Sequence, residues 1–273
     1  MMAFPRFVSA HKSEPASGDA LWTPFRKDSV LVKNDGARPR LLRTEELRAL
    51  DLPIVRAMHL GSLDELACVT AELSHEAPEV EGHSYLGLRH AFFQLDPEEF
   101  HVAQFGFQIQ YWDRSYRFCP GCGGPVVLKE KERAKRCEAC ERDFYPPVVP
   151  AMIVRVTRGD SILMTRQSRF PKGMYGLVAG FTEPGESLEA CVAREVMEET
   201  GLSIANIRYF GSQPWPFPHQ IMIGFTAEHA SGDIVVDTNE LEEARWFDRD
   251  AMPMLPPSFS IARALIDDWL APK

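Results

Sequence analysis

The sequence lacks any long apolar run, and no stretch approaches the ~18 residues of a membrane-spanning helix. It also lacks an internal repeat with a period of about 20 to 50 residues and any low-complexity segment, which excludes solenoid and fibrous architectures. The segment from Met1 to Glu14 has no apolar stretch typical of a secretory signal. These absences predict a globular, cytoplasmic protein that does not associate with membranes.

Positive charge is also scarce. The chain of 273 residues has 30 Lys and Arg against 39 Asp and Glu, with a net charge of -9 and a pI of about 5.4. An acidic surface disfavours a protein whose main task is to grip nucleic-acid backbone, although a local basic patch stays compatible with it. If the substrate is a phosphate anion, this balance predicts that divalent cations assist the reaction. With 45% hydrophobic residues, the chain can bury the cores of two modest domains.

Cysteine is too rare for a disulfide framework: there are 6, and Cys68 and Cys191 stand alone. The other four form two C-x2-C pairs, which are Cys119, Cys122, Cys137 and Cys140. Two such turns on a short hairpin aim four thiolates at one ion and leave no open coordination position, which indicates a structural Zn2+ site. The alternatives are a redox dithiol or a chance pairing. The basic residues between the pairs alternate with Glu130 and Glu132, so a solvated loop is favoured over a nucleic-acid contact.

The predicted secondary structure differs between successive parts of the chain. Before about residue 95, short apolar runs broken by turn residues predict a small β-rich domain with a hairpin around 34–36. Asp96 and Pro97 then predict the start of a helix, which carries apolar residues at helical spacing. Beyond residue 150, strands interleaved with helices near 187–200 and 261–269 predict a layered α/β domain.

The helix near 187–200 carries a cluster of acidic residues. Glu195, Glu198 and Glu199 stand at i, i+3 and i+4, so they share one helical face. Like charges this close repel each other unless a cation lies between them, and clustered carboxylates suit Mg2+ or Mn2+. Arg194 is placed to brace a neighbouring carboxylate such as Glu186. The alternative is an acidic stripe on a surface helix, which these three glutamates taken alone would favour.

The whole segment resembles the Nudix box. The box reads G-x5-E-x7-R-E-U-x-E-E-x-G-U, with U aliphatic, and every fixed position is filled between residues 180 and 202. The resemblance implies an α/β/α sandwich with a mixed sheet, which hydrolyses a nucleoside diphosphate linked to another group with the help of divalent metals. It also implies that Glu195 and Glu199 ligate metal and that Glu198 is a further ligand or the general base. The implied catalytic set is Glu186, Arg194, Glu195, Glu198 and Glu199. Gly180 and Gly185 are expected to give the loop that precedes the helix the freedom to bring its backbone close to a phosphate.

A strip rich in proline and aromatic residues follows the box, with the sequence SQPWPFP at 212–218. Three prolines in seven residues predict a stiff, extended strip, and its two aromatic rings offer faces for a purine or pyridine ring. The alternative is an ordinary loop packed on a core. The strip resembles the SQPWPFPxS signature of the NADH pyrophosphatase (NudC) subfamily, with His219 and Gln220 at the end where the signature has x-Ser. That departure affects one hydrogen bond near the ligand. The subfamily also has a four-Cys zinc ribbon before its Nudix domain.

The resemblance implies further site residues and a domain order. The residues expected near the substrate are Arg89, Tyr145, Phe181, Gln213, Pro214, Trp215, Pro216, Phe217, Pro218, His219, Gln220 and Ala262. The residues expected near the metal are Glu195, Glu198, Glu199, Glu240 and, through its backbone carbonyl, Ala179. The implied domains are a flexible N-terminus at 1–20, an N-terminal NudC-like domain at 21–115, the zinc ribbon at 116–147 and the Nudix hydrolase domain at 148–273.

The implied reaction is hydrolysis of the pyrophosphate bond of NADH or NAD+ to NMN(H) and AMP, extending to the removal of NAD caps from RNA 5′ ends. The subfamily also implies a homodimer. Two alternatives stay open. One is another Nudix activity, such as hydrolysis of ADP-ribose or dinucleoside polyphosphates, which the proline and aromatic strip disfavours. The other is a catalytically inactive zinc-ribbon protein that binds nucleic acid, which the complete set of box residues disfavours.

Overall fold

The computed structural model describes residues 6–12, 18–36 and 38–272. The chain divides into two compact units, residues 1–147 and residues 148–273. Each unit has its own main sheet and its own buried apolar clusters. Among the described residues, no helix combines the length and the apolar character needed to cross a membrane.

An eight-stranded sheet forms the body of the first unit. Its strands are β1 (Phe7–Ser9), β2 (Ala20–Arg26), β3 (Ser29–Asp35), β4 (Arg38–Arg40), β5 (Leu42–Arg43), β6 (Ile54–Leu63), β7 (Leu66–Leu73) and β8 (His83–Gly87), with helix α1 (Thr44–Ala49) between β5 and β6. The order is β1-β6-β7-β2-β3-β4, with β5 paired to β2 and β8 to β3. The predicted β-rich domain is confirmed, and the predicted hairpin is the β3–β4 pair.

Two helices, α2 (Leu88–Gln94) and α3 (Pro97–Ser115), follow this sheet. The carboxylate of Asp96 caps α3 by accepting the Glu98 N–H at 2.9 Å, and Pro97 occupies the first turn, as the sequence predicts. Gly106 lies where α3 approaches the sheet, because a Cβ there would be 2.5 Å from Oγ1 of Thr23. The helix can therefore pack closely only with glycine at that position.

A small three-stranded sheet completes the first unit, with β9 (Val126–Leu128), β10 (Lys135–Cys137) and β11 (Asp143–Phe144) in the order β11-β10-β9. Lys135 ties this sheet to the end of α3. Its ammonium lies 2.7 Å from the carboxylate of Asp113 and donates to the carbonyls of Asp113 and Tyr116 at 2.7 and 2.8 Å. Arg56 of β6 pairs with the other carboxylate oxygen of Asp113, whose side chain is fully buried. The small sheet thus shares one buried ionic cluster with the larger one.

The second unit is built on a six-stranded mixed sheet. Its strands are β12 (Val149–Arg158), β13 (Ser161–Arg166), β14 (Val178–Phe181), β15 (Ser203–Trp215), β16 (Gln220–Ser231) and β17 (Glu243–Asp248). The order is β15-β16-β12-β13-β17, with β14 paired to β12. Among the pairings of these described strands, β12–β16 alone is parallel, which makes the sheet mixed.

Helices α4 (Leu188–Thr200) and α5 (Ile261–Leu270) cover opposite faces of this sheet. Met152 and Val154 of β12 belong to the apolar cluster that contains Val192 of α4, whereas Ile153 belongs to the cluster that contains Leu265 of α5. Alternate residues of a strand point to opposite faces, so the two clusters lie on either side of the sheet. The predicted α/β/α sandwich with a mixed sheet is confirmed.

Candidate active site

Helix α4 starts and ends where the sequence predicts. The hydroxyl of Ser187 accepts the Ala190 N–H at 3.1 Å and caps the first turn. Gly201 ends the helix in the left-handed conformation, with φ 70°. Val192 and Val196 are fully buried in the apolar cluster beneath the helix. This packing fixes the rotation of α4 and therefore the direction of its glutamates.

Three carboxylates come together at one end of α4. Oxygens of Glu195, Glu199 and Glu240 all lie within 4.8 Å of one another. The two helical glutamates are 8% and 2% exposed, whereas Glu240 is exposed in the turn that precedes β17. The side chain of Glu198 is 57% exposed and lies outside this trio. The structure thus brings together three of the four predicted metal-binding side chains.

A short chain segment holds Glu240 beside the helix. The Asp237 N–H donates to the carbonyl of Glu199 at 3.1 Å, and the Asp237 carbonyl accepts from the N–H groups of Glu240 and Leu241 at 3.1 and 2.9 Å. Leu241 is buried in the cluster under α4. The first of these bonds gives a partner to a carbonyl in the last turn of the helix, where carbonyls lack partners within the helix itself.

The trio is electrostatically unfavourable on its own. Burial, together with the charges of Glu195 and Glu240, raises the pKa of Glu199 to about 8, against the opposing charge of Arg169. Burial also raises the pKa of Glu195. One oxygen of Glu199 is buried with no hydrogen-bond partner among the residues that the structure describes. Clustered hard oxygens, one of them unpartnered, fit a divalent cation of the Mg2+ type.

Arg194 braces acidic residues that lie in α4 and just before it. Its guanidinium makes a two-pronged contact with Glu186, at 2.8 and 2.9 Å, and reaches Glu195 and Glu198 at 2.9 Å each. The predicted bracing of Glu186 is therefore present. Hydrogen bonds from Arg194 and from the Glu183 N–H hold the pKa of Glu186 at about 2. Glu186 is thus an ionised partner of Arg194 and does not join the carboxylate trio.

Gly180 has a role that the sequence did not predict. It lies inside strand β14, paired with Met152 of β12, and its backbone does not need a left-handed conformation. A Cβ at this position would lie 2.0 Å from Cδ of Glu195. The glycine therefore makes room for the carboxylate. The fixed glycine at the start of the box was a signal for close approach, but the sequence did not identify Glu195 as the neighbour.

The neighbours of Gly180 are Ala179 and Phe181, both in β14. Ala179 packs against the cluster around α5. The ring of Phe181 is 50% exposed, while its carbonyl accepts from Arg194 at 2.9 Å. The metal role of the Ala179 carbonyl and the stacking role of the Phe181 ring stay predictions.

The proline and aromatic strip forms a hairpin tip instead of one extended strip. Residues 212–215 belong to β15 and pair with β16, and residues 216–219 form the turn. The Phe217 N–H donates to the carbonyl of Trp215 at 2.8 Å, and their two rings meet edge to face at 5.2 Å. The strand pairing bends the chain back on itself, which overrides the proline preference for an extended segment.

Gln213 joins the hairpin to the start of α5. Its amide donates to the carbonyl of Phe259 at 2.8 Å and accepts the Ile261 N–H at 2.8 Å. The ring of Phe259 stacks on Trp215 at 6.4 Å. Ala262 comes next to Ile261 in the first turn of α5. Phe259 is therefore a further aromatic residue of this region, and no motif in the sequence pointed to it.

Arg89 and Tyr145 belong to the first unit. Arg89 lies in α2, and the 55% exposed Tyr145 donates its hydroxyl hydrogen to Glu132 at 3.0 Å. Their contact with a substrate stays a prediction.

The four paired cysteines converge in the first unit. Their sulfur atoms all lie within 4.8 Å of one another, with 3.5 Å between those of Cys119 and Cys140 and 3.4 Å between those of Cys122 and Cys137. Gly123 turns the first pair with φ 74°. A tetrahedral ion with bonds of about 2.3 Å places its sulfur ligands roughly 3.8 Å apart, so the cluster fits zinc.

Family comparisons agree with this architecture. The NUDIX domain model matches residues 146–270, the NADH pyrophosphatase zinc ribbon domain matches residues 114–145, and the NADH pyrophosphatase-like rudimentary NUDIX domain matches residues 19–112. The last match relates the first large sheet to the Nudix fold, which the hydrophobic pattern did not suggest.

Similar proteins cover most of the chain. It is 47% identical over 241 residues to the NAD-capped RNA hydrolase NudC of Pseudomonas syringae pv. tomato, covering 88% of this chain and 85% of that protein. It is 44% identical over 245 residues to the protein of that name from Stutzerimonas stutzeri, covering 90% and 87%. A crystal structure of a NUDIX hydrolase from Nitrosomonas europaea has 26% identity and a TM-score of 0.45 over 56% of this chain and 88% of that one. By its sequence relatives, the chain belongs to the Nudix hydrolase superfamily, in the NADH pyrophosphatase (NudC) subfamily with a zinc ribbon.

Proposed function

We propose that the chain hydrolyses the pyrophosphate bond of NADH and NAD+ to NMN(H) and AMP, and that it removes NAD caps from RNA 5′ ends. The observation that carries the proposal is the trio of carboxylates within 4.8 Å at the end of α4. Relatives that are similar over most of the chain bear the name NAD-capped RNA hydrolase, which supports the substrate class.

Glu195, Glu199 and Glu240 are the side chains that would hold Mg2+ or Mn2+. The unpartnered oxygen of Glu199 supports this assignment, because a buried carboxylate oxygen without a partner is costly. Bound divalent cations supply charge neutralisation at the pyrophosphate and a more acidic water. Zinc at the four cysteines is structural, since four protein ligands leave no position for a substrate.

The reaction adds water across one phosphorus–oxygen bond. A water oxygen bonds to phosphorus, the bridging oxygen leaves with its electron pair, and the water proton passes to a carboxylate. Glu198 is our choice for that carboxylate, since its side chain is 57% exposed. Arg194 contacts Glu198 at 2.9 Å and holds Glu186 and Glu195 as well, so it orients the acidic residues relative to each other.

The aromatic hairpin is the proposed binding surface for the dinucleotide rings. Trp215, Phe217 and Phe259 form contiguous ring contacts at 5.2 and 6.4 Å. Stacking on such rings tolerates either a purine or a pyridine. Gln213 holds this surface in place through its two bonds to the residues before α5. His219 and Gln220 close the hairpin, together with Pro214, Pro216 and Pro218.

Subfamily membership supports two further parts of the proposal. The protein acts as a homodimer in the cytoplasm, and Arg89 and Tyr145 of the first unit contact substrate. Chemical cross-linking and sedimentation would test the dimer.

A substrate panel tests the activity. Purified zinc-loaded protein is incubated with NADH, NAD+, ADP-ribose and a dinucleoside polyphosphate in Mg2+ or Mn2+, and products are identified by mass spectrometry. We expect NMN(H) and AMP as the main products. NAD-capped RNA is tested in parallel for release of NMN. Faster hydrolysis of ADP-ribose than of NADH would replace the proposal with the other Nudix activity.

A matched pair of variants tests the role of the trio. Glu199→Gln removes one carboxylate charge from the buried cluster, so we expect a fall in turnover of about 100-fold or more with the fold retained. Glu189→Gln makes the same change on an exposed position of the same helix, and its turnover should match that of the unaltered protein. Near-normal turnover of the Glu199→Gln variant would show that Glu199 is not needed to bind the metal.

A further inference from the structure

The first unit contains a cavity of about 150 Å³, which we call the basic cavity. One side is formed by the N-terminal segment at His11 and Lys12, and another by the ribbon loop at Lys129 and Arg133. The His11 ring contacts the Lys129 carbonyl at 3.0 Å, which joins the two sides. The cavity thus gathers basic residues in a protein whose net charge is -9.

Arg133 carries a charge that has no protein counter-ion among the described residues. Its guanidinium donates to neutral oxygens: the hydroxyl of Ser9 at 2.8 Å and the carbonyls of Ala10, Leu60 and His59 at 2.5, 2.9 and 3.3 Å. Burial lowers the pKa of Arg133, with no carboxylate acting against it. A partly buried cation is unfavourable unless an anion lies near it.

His59 lies in the wall of the basic cavity and is 5% exposed. Its Nδ1 has no hydrogen-bond partner within the described ranges. Burial lowers the pKa of His59, and the charges of Lys12, Arg133 and His11 lower it further. Positive charge therefore converges on this ring from both sides of the cavity.

The other charged groups at the cavity do not cancel this excess of positive charge. Lys129 is neutralised by Asp143 at 2.9 Å and by Glu132. Glu130 also lines the cavity, but it is exposed to solvent. Lys12 and Arg133 together outweigh the single charge of Glu130.

The rest of the wall is apolar. Met58, Ile109 and Trp112 are buried and line the cavity. The indole Nε1 of Trp112 has no partner in the described part of the chain. A volume near 150 Å³ accommodates one six-membered aromatic ring. The cavity therefore combines positive charge with an apolar wall of single-ring size.

We propose that the basic cavity is a binding site for a small organic anion, in which a single apolar ring carries a carboxylate or a phosphate group. The anion faces Arg133 and Lys12, and the ring packs on Met58, Ile109 and Trp112. The site lies wholly within the first unit and does not depend on the proposed hydrolysis.

Isothermal titration of the full, zinc-loaded chain at low ionic strength tests this proposal. Benzoate and phenyl phosphate are the probes, and benzamide is a neutral molecule of the same shape as benzoate. We expect one-to-one binding of at least one anion, with benzamide at least about tenfold weaker. The tighter anion shows whether the site prefers a carboxylate or a phosphate. Binding of neither anion, or equal binding of benzamide, overturns the proposal.

A pair of charge reversals locates the site. Lys12→Glu changes an exposed residue of the cavity, so it should fold normally and weaken anion binding by about tenfold. Lys131→Glu makes the same change on an exposed residue of the ribbon loop outside the cavity wall, and should change affinity less than about twofold. Equal losses in the two variants would mean general attraction to the surface and would overturn the proposal.

Discussion

Replacing Gly180 with alanine should damage catalysis while leaving the fold intact. The added Cβ would lie 2.0 Å from Cδ of Glu195 and 2.1 and 2.3 Å from its two oxygens. Carbon atoms in favourable contact are about 3.5 Å or more apart, so the carboxylate must retreat by about 1.5 Å. A misplacement of about 1 Å in a catalytic group costs on the order of 100-fold in rate. We therefore expect Gly180→Ala to lower kcat for NADH by about 100-fold and to weaken Mn2+ binding.

The backbone itself should accept the change. Gly180 lies in β14 and does not have a left-handed conformation, so alanine can adopt the same backbone conformation. Overpacking costs typically about 1–3 kcal/mol, so the variant should stay folded with a moderately lower melting temperature. Gly211→Ala is the matched control, because it also lies in a strand of the same sheet and a Cβ there meets nothing within 4 Å.

Steady-state kinetics, Mn2+ titration and thermal unfolding of the two variants test this reasoning. The decisive comparison is kcat at saturating metal and substrate. If Gly180→Ala retained a kcat within threefold of Gly211→Ala, Glu195 would either not need its observed position or not take part in the reaction.

Three more predictions follow from the site and the ribbon. Cys119→Ser should release zinc and lower the free energy of unfolding by several kcal/mol, measured by metal analysis and urea unfolding; unchanged stability with lost activity would instead argue for a catalytic zinc. Since the pKa of Glu199 is raised from 4.5 to about 8, the metal-free protein should lose stability as pH rises through that range, because the unfolded chain ionises first. Mn2+ should therefore stabilise the protein more at pH 8.5 than at pH 6 in urea titrations, and a pH-independent effect would contradict the cause given for the shift. Trp215→Ala should lower kcat/KM for NADH by about 10- to 100-fold, in line with the loss of one stacked ring, and an unchanged value would remove this residue from the binding surface.

The features formed by residues that are close in sequence were the most predictable part of the site. The spacing of Glu195 and Glu199 depends only on helix geometry, and the two cysteine pairs need only a short hairpin to meet. The capping of α3 by Asp96 is also a local interaction. Such features follow from residues that are near each other in sequence, so the sequence predicts them without knowledge of the fold.

Features that depend on sheet pairing were not predictable. The contact between Gly180 and Glu195 requires β14 to lie beside α4, and the bend after Trp215 requires β15 to pair with β16. The approach of Glu240 to Glu199 was expected only from family resemblance, because the two residues are 41 positions apart in the sequence. The stacking of Phe259 on Trp215 has no sequence signal, because a lone phenylalanine is common in loops.

The buried carboxylate of Asp113, which pairs with both Lys135 and Arg56, limits how this chain can be modified. The ribbon and the strands before it match separate family models, yet they meet in an interior salt bridge. Removing one member of such a buried bridge leaves an uncompensated charge and lowers the free energy of unfolding by about 3–5 kcal/mol. A chimaera that imports a ribbon from a relative would therefore have to bring compatible residues at positions 56 and 113 as well. The ribbon therefore cannot be exchanged independently of the preceding strands and helix.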